Sequence, residues 1–374
     1  MKKFVAALLA AVCTTGAVCA QELQISGEIK TGFFWYEKQI GDAKSTSEGF
    51  VHNSEDDSGE QLLLNPENKS QGRFRLNLQV DKEDVGMKVR FQQLEWRDSS
   101  VPQWNYAFAY GDFVNGQLKI SVGKLGDSPW GTGGPEMWKE LDTRIGLRSE
   151  IKPAAVPGLN FGFVLNDMDD QATQSGRQQT LGDIFMESVL GLAYAHDYFA
   201  VRLAYRLDSD CDYSDGDRMI YRIEEKIIQQ YIPGFQIWAN GSYEGIRSEG
   251  EKSLWLVNWL YIQYAPELFT AQLRLGYDAL FNRSIFYARP SFYVNLFDNF
   301  INLGASFEFA QDFGGSRVYK DAPYLRMVVE PVVRVNFGSA YVALVYQYRN
   351  EYHTMGKDEI TQIHAVNLRT VYTF

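Results

Sequence analysis

Apolar and polar residues alternate with a period of two along most of the chain. In residues 72–81, Phe74, Leu76, Leu78 and Val80 alternate with Arg73, Arg75, Asn77 and Gln79. In residues 200–208, Val201, Leu203, Tyr205 and Leu207 alternate with Arg202, Ala204 and Arg206. Residues 324–337 set Leu325, Met327, Val329, Val333, Val335 and Phe337 against Arg326, Glu330, Arg334 and Asn336. The last stretch sets Val366, Leu368, Tyr372 and Phe374 against Asn367 and Arg369. Successive strand side chains point to opposite faces, so each stretch predicts a strand with one apolar and one polar face.

The connections alternate as well. Short turns are predicted near residues 81–86, 114–117, 153–158, 196–199, 232–235, 265–268, 297–300 and 337–340, with longer polar stretches between them. The longest polar stretch, 37–71, is acidic and reads as a solvated external loop. Eight hairpins and one strand at each end (about 22–36 and 361–374) give eighteen strands, with sixteen as the alternative because residues 218–230 alternate poorly. Pro290 and Pro331 fall inside strands, where a missing ladder donor suggests a bulge or an end.

Short turns at one end and long loops at the other are the sidedness of an all-β, antiparallel, up-and-down transmembrane barrel. A soluble sandwich would also alternate. Against it stand the steady apolar face and aromatics near strand ends, here Tyr205, Tyr261, Tyr277, Tyr341 and Tyr372, placed as an interfacial girdle. No run of 18 apolar residues follows the N-terminus, so spanning helices are excluded. The load of 8 Trp, 22 Tyr and 24 Phe suits a barrel instead.

Residues 1–20 read as a signal peptide: Lys2 and Lys3 precede an apolar run, and Ala20 ends it, leaving 21–374 as the barrel domain. A lipoprotein reading through Cys19 is disfavoured by Val18. Cleavage takes the formal charge from -11 to -13, which gives no electrostatic case for nucleic acid. Cys211 is then the one cysteine left, so neither a disulfide within the chain nor a cysteine metal site can form.

If the apolar faces meet lipid, their alternates line the lumen. That set contains Arg73, Arg75, Lys88, Arg90, Lys119, Arg144, Arg148, Arg202, Arg206, Arg222, Arg274, Arg289, Arg326, Arg334, Arg349 and Arg369. The acids in the same phase are Glu150, Glu187, Glu224, Asp278, Glu308 and Glu330. The basic excess implies a water-filled pore that favours anions, although arginine pairing with carboxylates would also stiffen the wall.

Residues 126–142, after the fifth strand, hold a Gly/Pro-rich loop. Val122-Gly-Lys-Leu-Gly followed by Pro129-Trp-Gly resembles the strand-to-loop junction of Gram-negative outer-membrane porins, and Gly133-Gly-Pro-Glu136 is similar to their constriction element, though its order differs. The resemblance implies that the loop folds inward and sets Asp127, Glu136, Glu140 and Asp142 across an eyelet from the arginines. An ordinary surface loop is the plainer alternative. Porins are often trimers, and the terminal Phe374 is similar to the signal that outer-membrane barrels present to their assembly machinery.

His52, His196, His353 and His364 are scattered, no nucleophile elbow is visible, and residues 208–217 fail the calcium-loop pattern. No cofactor, metal or catalysis is expected. The sequence therefore points to an outer-membrane porin for passive diffusion of small hydrophilic solutes. A surface barrel whose loops bind a partner is the runner-up, and a barrel enzyme comes third.

Overall fold

The computed structural model describes residues 22–50, 73–93, 103–132, 140–141, 144–166, 188–206, 215–248, 251–280, 283–313, 325–353 and 359–374. The leader, Cys211 and most of the acidic stretch 208–217 lie outside them. The strands are β1 (Glu22–Ile40), β2 (Ala43–Phe50), β3 (Arg73–Lys82), β4 (Val85–Gln93), β5 (Gln103–Phe113), β6 (Leu118–Lys124), β7 (Ile145–Ile151), β8 (Leu159–Asn166), β9 (Val189–Ala195) and β10 (Phe199–Arg206). There follow β11 (Asp215–Glu225), β12 (Phe235–Ser248), β13 (Glu251–Tyr264), β14 (Phe269–Leu280), β15 (Arg283–Leu296), β16 (Ile301–Asp312), β17 (Leu325–Phe337), β18 (Ala340–His353) and β19 (Glu359–Thr373).

Every strand pairs antiparallel with its sequence neighbour except β2 and β3, which both pair with β1, and β1 closes the ring against β19 from Glu28↔Thr373 to Ile40↔Thr361. The nineteen segments make an 18-strand barrel because β2 and β3 share one lane. The upper part of β1 pairs with β2 (Phe33↔Phe50 to Ile40↔Ala43) and the lower part with β3 (Glu22↔Asp81 to Lys30↔Arg73). The expected loop 37–71 therefore begins as ordered hairpin. β1 runs on to Ile40, and Gly41 takes a left-handed φ of 55° in the turn. All eight short turns fall where the alternation breaks. The irregular stretch 218–230 becomes the end of β11 and one helical turn, α1 (Ile227–Tyr231).

Pro290 and Pro331 mark neither bulges nor ends. β15 and β17 run straight through them, and only the ladder on one side skips. Ala288↔Phe309 and Ser291↔Ser306 put Arg289 opposite Glu308 in the first gap, and those side chains pair. In the second gap Gln347 donates to Glu330 at 3.0 Å. A side-chain bond across each gap stands in for the backbone bond that proline cannot donate.

The two faces separate as the alternation requires. On β17, Met327, Val329, Val333 and Phe337 are exposed, while Val328, Glu330 and Val332 are buried. The exposed row continues around the outside through Leu368, Leu344, Phe307, Phe292, Leu190, Phe163 and Val122. An outward apolar band on a closed barrel, which has no unpaired edge, is a surface suited to a bilayer. Two of the five girdle tyrosines are corrected. Tyr205, Tyr277 and Tyr372 face outward, but Tyr261 is 1% exposed and pairs with Arg274, and Tyr341 lies beneath Arg334, both inside.

Candidate functional site

The register places most of the sequence-derived basic set on the inward face. Arg75 pairs with Gln92, Arg90 with Asn77 and Tyr106, and Arg148 with Ser121 and Val164. Arg202 and Arg206 face Arg222 and Arg218, and Arg274 faces Arg289. Arg326 pairs with Ala310 and Arg334 with Asn302, while Arg369 pairs with Gly32 and Ala343. Arg144 precedes β7 and caps Leu125 through its carbonyl (2.9 Å), and of Arg73 only the backbone, opposite Lys30, is described.

The same face carries residues that alternation alone passed over. Glu28, Asp81, Asp112, Glu244, Asp312 and Glu351 add acids, and Lys30, Lys38 and Arg218 add bases, so the basic excess narrows. Many of these pair. Arg218 reaches Glu244 at 2.6 Å, Arg148 reaches Glu150 at 3.2 Å, and Glu308 takes both Arg289 and Arg326. Arg334 is held instead by Asn336 (2.6 Å) and the Tyr341 ring (3.8 Å).

The loop after β6 does not lie on the surface. Leu125, Trp130 and Thr132 are fully buried, and Trp130 joins Tyr106, Phe108, Leu141, Val164, Val189, Ala204 and Ile220 in an apolar cluster on the inward side of β5 to β11. Gly191 of β9 makes room for it, because a Cβ there would stand 1.9 Å from the indole. Wall arginines hold the loop by its carbonyls: Arg148 donates to Gly126 (3.1 Å), Arg202 to Gly131 (3.5 Å) and Arg222 to Thr132 (2.9 Å). Three groups are thus at once wall charges and loop anchors.

Of the four expected acids, Asp127 and Glu140 are described, whereas Glu136 and Asp142 lie outside the described residues. Asp127 meets the basic wall directly rather than across an opening, its carboxylate 2.6 Å from the Lys88 ammonium. Burial opposes its ionisation, but the bond to Lys88 and the charges of Lys88, Arg90 and Arg148 prevail, holding the carboxyl below the usual carboxylate range. Asp127 also takes a left-handed φ of 56°, which a short carboxylate side chain tolerates better than a branched one. Groups of three or more His, Cys, Asp or Glu able to hold a metal are absent among the described residues.

A closed barrel with an apolar outer band, a charged inner face and a loop folded inside is the architecture of a porin-like barrel. No protein-family model matches the sequence, and no curated protein does. Among solved structures, the chain is similar to OccAB1 of Acinetobacter baumannii, with 12% identity over 95% of this chain and 97% of that one, at a TM-score of 0.57. It is similar to the outer membrane channel DcaP of the same organism (9% identity, 96% and 98% covered, TM-score 0.52) and to an anion-selective porin from Comamonas acidovorans (7%, 94% and 99%, TM-score 0.52). At such identities the likeness is one of fold: this chain has the barrel of outer-membrane porins.

Proposed function

We propose that the chain is a channel for passive diffusion of small hydrophilic solutes, that it prefers anions, and that it catalyses no reaction. The observation that carries this reading is the infolded segment 125–132, fixed to the wall by Arg148, Arg202 and Arg222. A segment packed against β5 to β11 narrows the lumen to the side lined by β12 to β19 and β1 to β4. That side holds Arg75, Arg90, Arg274, Arg289, Arg326, Arg334 and Arg369. Rows of fixed guanidinium charge in a narrowed passage raise the local concentration of small anions. Asp127, seated on Lys88, belongs with Glu140 to the loop side of the same passage, while Glu136 and Asp142 lie outside the described residues. Cleavage after Ala20 and delivery to the barrel assembly machinery through Phe374 complete the reading.

Single-channel recording in planar bilayers tests it. Discrete conductance steps are expected from refolded protein, and their absence from protein shown to be folded overturns the channel. In a potassium chloride gradient the reversal potential is expected on the chloride side; a potassium-side value overturns the anion preference.

A further inference from the structure

Four aromatic rings stand on the inward face of β12, β13 and β15, where the alternation calls for polar residues. Trp238 stacks on Tyr261 with centroids 4.9 Å apart and planes within 6°, and Trp259 stacks on Tyr287 at 5.4 Å and 27°. Strands β13 and β15 are not neighbours. Trp259 reaches Tyr287 only because Gly276 of the intervening β14 has no side chain; a Cβ there would come within 2.7 Å of the indole.

Guanidinium groups lie against both stacks. Arg222 lies 5.3 Å over Trp238, and Arg274 lies 5.5 Å over Tyr261. Arg289 lies 4.6 Å over Trp259 and 5.3 Å over Tyr287, and Arg326 lies 5.9 Å over Tyr287. Arg289 and Arg326 both bond the carboxylate of Glu308, and Glu351 stands opposite Arg326 in the ladder. An arginine side chain has about 2 kcal/mol of rotamer freedom to lose when it is fixed. A ring face that attracts the guanidinium restricts this freedom without neutralising the charge, as a second carboxylate would.

We propose that Trp259 and Tyr287, and by the same device Tyr261 backed by Trp238, are positioning residues that set the anion preference by holding the guanidinium groups of Arg289, Arg326 and Arg274 in the passage. The inference rests on the anion reading above. Its test compares variants that remove charge with variants that remove none, each first shown to be folded by heat-modifiable migration. Arg289→Ala with Arg326→Ala tests the anion reading itself. Trp259→Leu is expected to lower the chloride-to-potassium permeability ratio by a factor of about two to five, the range of one partly wet cation–π contact, with Trp259→Phe restoring it. Gly276→Ala, which keeps every ring and charge but pushes the indole away, is expected to act in the same direction and serves if Trp259→Leu does not fold. An effect of the double arginine variant with none from Trp259→Leu or Gly276→Ala overturns the positioning role and leaves the anion reading standing. No effect from the arginine pair removes both.

Discussion

Asp127 illustrates how single side chains couple the loop to the wall. Its carboxylate is half-exposed and tied to Lys88, and its pKa is depressed. A depressed carboxylate contributes stability above its unfolded pKa and loses it only as the pH falls through the lower folded value. The loop contact is therefore expected to survive ordinary mild acid and to be released only below the usual carboxylate range. Single-channel conductance recorded stepwise from neutral to strongly acidic pH should hold steady and then change below that range. Asp127→Asn should remove the late change; if the acid transition persists in that variant, another group governs it. The positions of charges were legible here and their partners were not. Arg326 could be placed inside by its phase, but Glu308 serving two arginines, or Asp127 seated on Lys88 rather than opposite it, depends on lanes far apart in sequence. Likewise, Trp259 escaped notice and Tyr261 was assigned to the wrong face because β13 is apolar on both faces, and alternation is silent where both phases are apolar.

The strands and the infolded loop are set by different physics. A strand declares itself by its two faces, and the wrong residue on the outer one meets lipid. Val333→Arg, on the exposed phase of β17, is expected to destabilise the barrel by about 2–4 kcal/mol if it lies near the bilayer midplane. Urea unfolding in bilayers should show that loss, and little loss for the same substitution at inward Asn367. Equal effects at both sites would mean the faces are misassigned. The loop has no such periodic signal. Its glycines and prolines suit a surface turn equally well, and its inward course depends on Gly191 lying beneath Trp130 three strands away. Trp130→Ala deletes the side chain at the centre of the apolar cluster, a truncation that costs roughly 3–5 kcal/mol in a packed core. Freed of that anchor, the segment should move away from the wall and the conductance should alter and become noisier. An unchanged, quiet current would show that the three arginine anchors suffice without it.

At the scale of the whole molecule, closure is the dominant event. Phe374 completes it: its N–H and C=O both bond the backbone of Gly27, and its ring stacks on Tyr372 at 5.9 Å. Deleting Phe374 removes both backbone bonds at the seam. The expected result is a smaller folded fraction in the outer membrane, read from heat-modifiable migration, while refolding in detergent is less affected. Equal losses in both settings would argue against a role in assembly and for one in seam stability alone. Overall architecture was the most legible level of all. Eight breaks in the alternation gave the lane count, and the segment that alternated poorly proved to be the end of β11 followed by one helical turn.

The shared lane of β2 and β3 has a further consequence. With both ends of the chain on the short-turn side, an up-and-down barrel must count its staves in pairs, so most insertions either lengthen a loop or add a whole hairpin and widen the hoop. Splitting one stave in two lets the chain grow by the segment between residues 50 and 73 while the circumference keeps its size. A peptide spliced at that junction should leave the bore unchanged.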